Sequence, residues 1–346
     1  MALRLAVLGV GGLGYLQLEI YDQMPEITVV GAADVSADAR DLFESEFEAP
    51  AYEGYEQLLA EHADDLDAVA IVTPHTLHYE QARAALERGL SVLVEKPMVT
   101  DVAHAVHLCE LAERHDAVLQ VGYQRHFHPA FREIRRVIAT GRIGDLHMVN
   151  CHLGQDWVRP HRNAWRTDPE LSGGGQLYDT GSHLLDALLW TTDGDPASVL
   201  ATMEYDAPGI DVNTAMSVEL RRDDESVLAS VGLTGNGVSV EPYEGYFFWG
   251  TEGKLAFVDG TISVAERDAV TYSTEITRDT DFHSLTSRMI RNFVAAVEGS
   301  EASAVPGEHG LAVTALTEAT YRAADDVAPV DVQGLIDEHR DRVPPD

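Results

Sequence analysis

The chain has 346 residues, 45% of them hydrophobic, so it is long enough to form two hydrophobic cores and apolar enough to fill both. Its 58 acidic residues outnumber its 24 basic ones, and the formal charge of −34 is spread along the chain. Such a charge repels nucleic acid and anionic membranes, and the sequence lacks the run of about 20 apolar residues that a membrane helix needs. We therefore expect a two-domain cytoplasmic protein that binds neither nucleic acid nor membranes.

The first 120 residues alternate short apolar runs with amphipathic segments, which is typical of βαβ units around a parallel sheet. Strands are predicted at residues 3–8, 27–33, 68–72, 92–94 and 118–121. Helices are predicted at residues 77–88 and 102–114, where apolar side chains recur every three or four positions. The pattern predicts a doubly wound parallel α/β domain over residues 1–123.

The glycines of the first predicted loop form the pattern GxGxxG, at Gly9, Gly11 and Gly14, between a strand and a helix. The first glycine permits a tight turn, the second lets a pyrophosphate approach the backbone, and the third lets helix and strand pack closely. N–H groups at the helix start then hold phosphates, so we expect Gly12 and Leu13 to contact the ligand as well. A glycine-rich turn without a ligand is the alternative.

Asp34 ends the second predicted strand, 20 residues beyond Gly14. A carboxylate there accepts hydrogen bonds from ribose hydroxyls and repels a 2′-phosphate. The sequence therefore predicts NAD as the cofactor. NADP stays open, because Ser36 or Arg40 could accommodate the phosphate if Asp34 turned away.

The pattern changes after about residue 124. A helix over residues 129–139 precedes a strand region that begins at Leu146, and a further helix is predicted around residues 176–190. Several strands follow over residues 199–276, and then two helices near residues 282–298 and 309–325. Strands followed by segregated helices predict a C-terminal α+β domain, residues 124–346, around a large, mostly antiparallel open sheet.

Several motifs along the chain resemble those of the glucose-fructose oxidoreductase / inositol dehydrogenase / MocA family. They are Glu95-Lys96-Pro97 after a strand, TPHTLH at residues 73–78, AALERG at 84–89, Trp165-Arg166, and GGGQLYDTGSH at 173–183. His75 stands where the family commonly has Asn, so we expect the cofactor contacts at that point to differ from those of the family. The resemblance covers nearly the whole chain and implies an N-terminal Rossmann domain.

The same resemblance implies that Lys96 is catalytic. It also implies cofactor contacts at Thr73, Pro74, His78, Glu95 and Lys96. The chemistry is sound, because an ammonium at the carboxyl edge of a parallel sheet can stabilise alkoxide character on a substrate oxygen. Only Lys96 and Lys254 among the 24 basic residues are Lys, which argues against a mere surface residue. An acidic chain almost without Lys is also typical of proteins from a high-salt cytoplasm.

Asp179 and His183 are four residues apart on a predicted helix, so both project from one face. A histidine suits removal of a hydroxyl proton near neutral pH, so we expect His183 to be the general base. Asp179 either orients it or binds a substrate hydroxyl. By spacing alone such a pair could equally cap a core or bind a metal, but further ligands do not cluster nearby in the sequence, so no metal site is expected.

Further substrate contacts are expected from residues near the second-domain motifs. Arg125 follows the last parallel strand, where the family often has a substrate-side arginine or asparagine. An aromatic and basic group precedes the predicted Asp179 helix: Trp157, Arg162, Trp165 and Arg166. These side chains could supply ring faces and hydrogen-bond donors for a sugar, and packing and ion pairing are the alternative.

Together these features predict an NAD(P)-dependent oxidoreductase acting on a secondary alcohol or hemiacetal carbon of a sugar, inositol or related polyol. Two alternatives stay open. One is a glycosidase or lyase that uses transient oxidation, and the other is a non-enzymatic NAD-binding regulator. A broad sheet with one face uncovered by its own helices also predicts a homodimer or homotetramer formed through the C-terminal sheet.

Overall fold

The computed structural model describes residues 2–222, 225–238, 243–267, 271–277 and 280–340. Two compact units are present. The first contains the residues up to Val99, then His104–Gln124 and Asp281–Leu311. The second contains Thr100–Ala103, Arg125–Thr280 and the residues from Ala312 onward. The chain thus changes unit after residue 124, beside the predicted boundary at 123, and a late segment returns to the first unit.

The secondary structure follows the predicted alternation. Strands β1 to β15 are, in chain order, Leu3–Leu8, Ile27–Ala33, Ala51–Tyr52, Ala68–Ile71, Ser91–Val94, Leu119–Val121, Leu146–Gly154, Asp195–Ala207, Ile210–Arg222, Glu225–Thr234, Glu244–Gly250, Gly253–Val258, Thr261–Glu266, Tyr272–Glu275 and Val330–Asp331. Helices α1 to α12 are Leu13–Asp22, Ala37–Phe47, Tyr55–His62, His78–Leu86, Val102–Arg114, Pro129–Ala139, Val158–His161, Pro169–Ser172, Ser182–Thr192, Phe282–Val297, Gly307–Asp326 and Val332–Arg340. Within the described ranges, none of these helices is both long and apolar enough to cross a bilayer.

The first unit is built on a parallel sheet. Among the described residues its six strands lie in the order β3-β2-β1-β4-β5-β6. Every residue of β4 and β5 is buried, as expected for central strands with both faces covered. Strand order reverses between β1 and β4, and open α/β sheets bind ligands beyond the carboxyl ends of strands at such a point. The predicted doubly wound domain is confirmed.

The second unit is built on a wide mixed sheet. The described residues form nine strands in the order β14-β13-β12-β11-β7-β10-β9-β8-β15, and the pairings are antiparallel apart from β7 with β10. Side chains alternate along the strands, so that in β9 Met216, Val218 and Leu220 are buried while Ala215 and Ser217 are exposed. One face therefore belongs to the core, and the predicted mostly antiparallel sheet is confirmed.

Candidate active site

The glycine loop, residues 9–14, joins β1 to α1. Gly9 has φ +84°, and a Cβ there would lie 2.7 Å from the carbonyl oxygen of Val72. A Cβ at Gly14 would lie 1.8 Å from the carbonyl oxygen of Gly9, so helix and loop meet too closely for any side chain. For a Cβ at Gly11 the nearest atom would be the Asp34 Oδ2, 3.9 Å away. The space beside Gly11 is open, as the approach of a pyrophosphate to the backbone requires.

Asp34 closes one side of this loop. Its Oδ2 accepts hydrogen bonds from the N–H groups of Val10 and Gly11 at 2.9 and 3.3 Å, and its Oδ1 accepts one from the N–H of Ser36 at 2.8 Å. Arg40 donates to the carbonyl oxygen of Asp34 at 2.7 Å. The carboxylate thus lies at the edge of the loop, where a ribose is expected.

Lys96 follows β5, and the neighbouring Glu95 ties this turn to the helix that begins at the glycine loop. The Glu95 carboxylate accepts from the Gln17 amide at 2.6 Å, and the Tyr21 hydroxyl donates to Gln17 at 3.0 Å. Glu95 also accepts from the N–H of Lys96 at 3.2 Å. Burial and the nearby Glu95 raise the pKa of Tyr21 well above its usual range, so the phenol remains a donor. Gln17 was not predicted, because nothing near residue 17 points to a partner 78 residues away.

His78 is fully buried and connects the ends of two neighbouring strands. Its Nδ1 lies 2.9 Å from the carbonyl oxygen of Pro97, after β5, and its Nε2 lies 2.9 Å from that of Thr73, after β4. Burial lowers the pKa of His78, while its contacts with backbone carbonyls act in the opposite direction. The side chain therefore supports this edge of the sheet from within. Its imidazole is not exposed, so it offers no accessible surface for the predicted contact with the cofactor. Pro74 and the Thr73 hydroxyl, which donates to Gln81 at 2.6 Å, lie half-buried at the same edge.

Asp179 and His183 lie on the Asp–His helix, which we define as the π-helical turn Leu177–Gly181 continued by α9. The predicted helix is present, but its first part is wider than an α-helix. Asp179 is 4% exposed, and its Oδ2 accepts from the indole N–H of Trp157 at 2.8 Å. The same oxygen lies 3.2 Å from the Arg166 guanidinium. Buried charged groups are normally paired, and the Arg166 guanidinium supplies the opposite charge here.

Trp157 has a different place from the one predicted. It is 2% exposed, so it presents no ring face to a sugar, and its contact with Asp179 makes it a support for that carboxylate. Trp165 is half-buried, and the Arg166 guanidinium lies over its ring at 4.5 Å from the centroid. Arg162 is exposed just after α7. Arg162, Trp165 and Arg166 therefore keep some surface for a ligand.

Arg125 is engaged by protein groups of the second unit. Its guanidinium donates to the carbonyl oxygen of His183 at 3.1 Å, to the Glu244 carboxylate at 3.0 Å, and to the Tyr246 hydroxyl. Phe131 lies beneath it, 5.3 Å from ring centroid to guanidinium carbon. To bind a substrate as predicted, the guanidinium would have to do so in addition to these contacts or in place of them. Its partner Glu244, 119 residues away, was not predicted.

Comparison with known proteins agrees with this architecture. Residues 3–123 match the model of an oxidoreductase family with an NAD-binding Rossmann fold, GFO/IDH/MocA, and residues 131–256 match the GFO/IDH/MocA C-terminal domain. A solved structure of levoglucosan dehydrogenase in complex with NADH superposes with a TM-score of 0.86 at 19% identity, over 96% of this chain and 99% of that one. At that identity the likeness establishes the fold alone.

Two similar curated proteins are D-xylose 1-dehydrogenases named for NADP(+). The one from Haloarcula marismortui is 35% identical over 174 residues, which are 50% of this chain and 47% of the relative, so the match spans about half of each. The one from Haloferax volcanii is 27% identical over 337 residues, 94% of this chain and 98% of the relative. The glycine loop, the Lys96 turn and the Asp–His helix thus stand in a chain that belongs to the GFO/IDH/MocA oxidoreductase family.

Proposed function

We propose that the protein is an NAD(P)-dependent dehydrogenase that moves hydride between nicotinamide and a secondary alcohol or hemiacetal carbon of a sugar, inositol or related polyol. The observation that carries the proposal is the Asp–His helix: a buried carboxylate, compensated by Arg166 and Trp157, one helical turn before a half-buried histidine. The D-xylose 1-dehydrogenases among the relatives support a sugar as the substrate.

The cofactor would be held by the glycine loop, with Gly12 and Leu13 at the start of α1 offering N–H groups to its pyrophosphate. Asp34 would accept hydrogen bonds from its ribose hydroxyls. When bound, the nicotinamide supplies a hydride acceptor or donor. The fit is supported by the open space beside Gly11.

In the proposed chemistry His183 takes the proton of the substrate hydroxyl, and the Lys96 ammonium stabilises the negative charge that grows on the oxygen. Asp179, fixed by Arg166 and Trp157, orients His183 or binds a neighbouring substrate hydroxyl. Arg162 and Trp165, which retain accessible surface, would contact the rest of the sugar. The protein contributes mainly positioning of these groups.

The test is to follow nicotinamide absorbance with a panel of aldoses, inositols and sugar acids, in molar salt, with both cofactors. We expect reduction with at least one sugar or polyol, and a loss of turnover by orders of magnitude in Lys96→Ala and His183→Ala with unchanged circular dichroism. Near-normal turnover in both variants would overturn the assignment. Release of free sugar without accumulation of reduced cofactor would instead identify a glycosidase or lyase, and cofactor binding without turnover a regulator.

We also propose that a second copy of the chain covers the outer face of the nine-stranded sheet. This face leaves Met148, Leu200 and Leu228 exposed, which is costly in a monomer. Light scattering coupled to size-exclusion chromatography should give a dimer or tetramer, and Leu228→Glu should shift it toward monomer. A monomeric wild-type protein would contradict the proposal.

The acidic surface is proposed to be an adaptation to a salt-rich cytoplasm. At a formal charge of −34, repulsion between carboxylates is strong at low ionic strength and is screened as salt increases. The melting temperature should therefore rise steeply between millimolar and molar potassium chloride. A flat dependence would refute the adaptation.

A further inference from the structure

We propose that Asp211 and Arg125 are positioning residues that hold the π-helical turn Leu177–Gly181 from its two ends and thereby set the placement of Asp179 and His183. The proposal rests on the proposed function of those two side chains. It concerns contacts within the second unit only.

Asp211, on β9, binds the beginning of the Asp–His helix. Its side chain is 1% exposed, and its two carboxylate oxygens accept from the N–H of Gly175 at 2.7 Å and from the N–H of Leu177 at 2.9 Å. The Tyr321 hydroxyl donates to the same carboxylate. N–H groups at a helix start lack partners within the helix, and a carboxylate is a favourable cap for them. The cap here comes from a residue 36 positions along the chain from Gly175.

The glycines before the helix allow this contact. A Cβ on Gly175 would lie 2.1 Å from the carbonyl oxygen of Asp211, and one on Gly174 would lie 2.4 Å from the Tyr321 hydroxyl. Tyr178, inside the π turn, stacks on Tyr321 with ring centroids 5.2 Å apart, and its hydroxyl donates to the carbonyl oxygen of Thr100 at 2.9 Å. Gly174 and Gly175 are thus explained by the close approach of the helix start to Asp211 and to the Tyr321 hydroxyl bound to it.

Arg125 binds the other side of the turn. It donates to the carbonyl oxygen of His183 itself, and Glu244 and Tyr246 hold its guanidinium in place. A positive charge meets a carbonyl oxygen here, whereas a negative charge meets N–H groups at the helix start. Both contacts are of the stronger, charge-assisted kind.

The turn between these anchors needs such support. A π-helical turn is rare and occurs mostly as a single turn within α-helices, frequently at functional sites. Asp179 lies inside it and His183 lies two residues beyond it. A shift of about 1 Å at a reacting group can cost about 100-fold in rate. Anchors on both sides of the turn therefore act on turnover through the two side chains that they place.

The decisive variants are Asp211→Asn, which keeps the size of the side chain but removes its charge and one acceptor, and Arg125→Gly. We expect kcat to fall about 100-fold in each, with the KM for the cofactor unchanged because the glycine loop is untouched. The pH profile of kcat should shift, since the surroundings of His183 change. Added guanidinium ion should restore part of the kcat of Arg125→Gly.

Val218→Ala is the matched control, since it removes buried methyl groups from the same strand, β9, and leaves the anchors intact. It should lower the melting temperature with no effect on kcat or its pH profile. If Asp211→Asn and Arg125→Gly behave like this control, the proposal is overturned. If Asp211→Asn does not fold, Tyr321→Phe, which removes only the hydroxyl bound to Asp211, should give a smaller fall in kcat, and an unchanged kcat and pH profile would count against it.

The two proposals fail in distinguishable ways. If His183→Ala turns over substrate as fast as the wild type, the proposed function fails. If His183→Ala is inactive while both anchor variants retain full kcat, only the anchoring role fails. The double variant should lose less than the product of the two single losses, because both anchors hold one turn.

Discussion

The glycine loop and the Asp–His helix hold their functional groups in different ways. In the loop, the groups proposed to bind phosphate are backbone N–H groups within six consecutive residues, shaped by three glycines. In the helix, the groups are side chains held by distant partners. Asp179 accepts from Trp157, 22 residues away, and the backbone carbonyl of His183 accepts from Arg125, 58 residues away. Cofactor binding thus rests on local chain geometry, and the proposed proton transfer rests on the folded second unit.

The largest fall in kcat is expected at Lys96, a side chain proposed to act in catalysis that lies in the same unit as the glycine loop. Lys96→Arg keeps the charge but replaces a compact ammonium by a planar guanidinium, so kcat should fall by about 10²- to 10³-fold. Lys254→Arg makes the same change at the exposed position of β12 and should leave kcat unaltered. The measurement is the steady-state kcat of both variants. If Lys96→Arg is as active as Lys254→Arg, the proposed role of Lys96 is wrong.

The loop itself can be divided into ligand and packing roles by two alanines. Gly11→Ala should keep the wild-type melting temperature, since its Cβ would lie 3.9 Å from the nearest atom, yet bind NADH more weakly by at least about tenfold, or about 1.4 kcal/mol. Gly14→Ala should instead lower the melting temperature, because its Cβ would meet the Gly9 carbonyl oxygen at 1.8 Å. Fluorescence titration measures the NADH affinity of the two variants, and thermal unfolding measures their melting temperatures. Undiminished NADH affinity in Gly11→Ala would mean that the loop is not the cofactor site.

A variant of Asp34 tests whether this one side chain sets the choice between NAD and NADP at a site whose other proposed contacts are backbone N–H groups. Asp34→Ser removes the charge that repels a 2′-phosphate, so the ratio of kcat/KM for NADP to that for NAD should rise by about tenfold or more. Asp38→Ser, an exposed change on α2, is the control and should leave the ratio alone. A ratio that stays constant in Asp34→Ser would place the discrimination elsewhere.

Trp157→Phe probes the support of the Asp–His helix with a smaller perturbation. The ring remains while the N–H donor to Asp179 is lost, and a hydrogen bond to a charged group is worth about 1.5 to 3 kcal/mol. We expect kcat to fall by about tenfold, with cofactor affinity preserved. Unchanged kcat together with a lowered melting temperature would restrict Trp157 to packing.

The smallest effect concerns stability and pH in the first unit. Burial lowers the pKa of His78, so the unfolded chain binds a proton more readily than the folded one. The stability contributed by neutral His78 is complete above the ordinary histidine pKa of about 6.5 and is lost as pH falls through the lower pKa of the folded state. In His78→Gln the free energy of unfolding should fall less steeply as the pH drops below about 6.5 than in the wild type, as measured by urea denaturation at several pH values. Parallel curves for variant and wild type would contradict this.

The difference between the two regions also explains what could be predicted. The first domain could be predicted from local sequence patterns, each only a few residues long. These were the apolar runs that form β4 and β5 and the GxGxxG pattern. The two-residue strand β3 was missed, because Ala51 and Tyr52 form no apolar run.

The second unit was predicted in outline but not in its supports. Residue type marked Arg125 and Trp157 as candidates, yet whether such a side chain points to a ligand or to a protein carboxylate depends on strands far along the chain. The five residues of the π turn, LYDTG, form no pattern that distinguishes a wide turn from an α-helix, so its width was not foreseen. Asp211 belongs to no recognisable sequence motif. Its role is visible only from its contact with Gly175 in the folded structure.

The π turn has a consequence for the length of the segment. It accommodates more residues in one turn than an α-helix, and so adjusts the rotation between the capped start at Gly175 and the apolar side of α9, where Leu184, Leu185 and Leu188 are buried. Adding a residue to Leu177–Gly181, which the already wide turn could not take up, would rotate one end against the other by about 100°. Either the cap or the buried leucines would then lose their place. We therefore expect this stretch to tolerate substitutions better than an added residue.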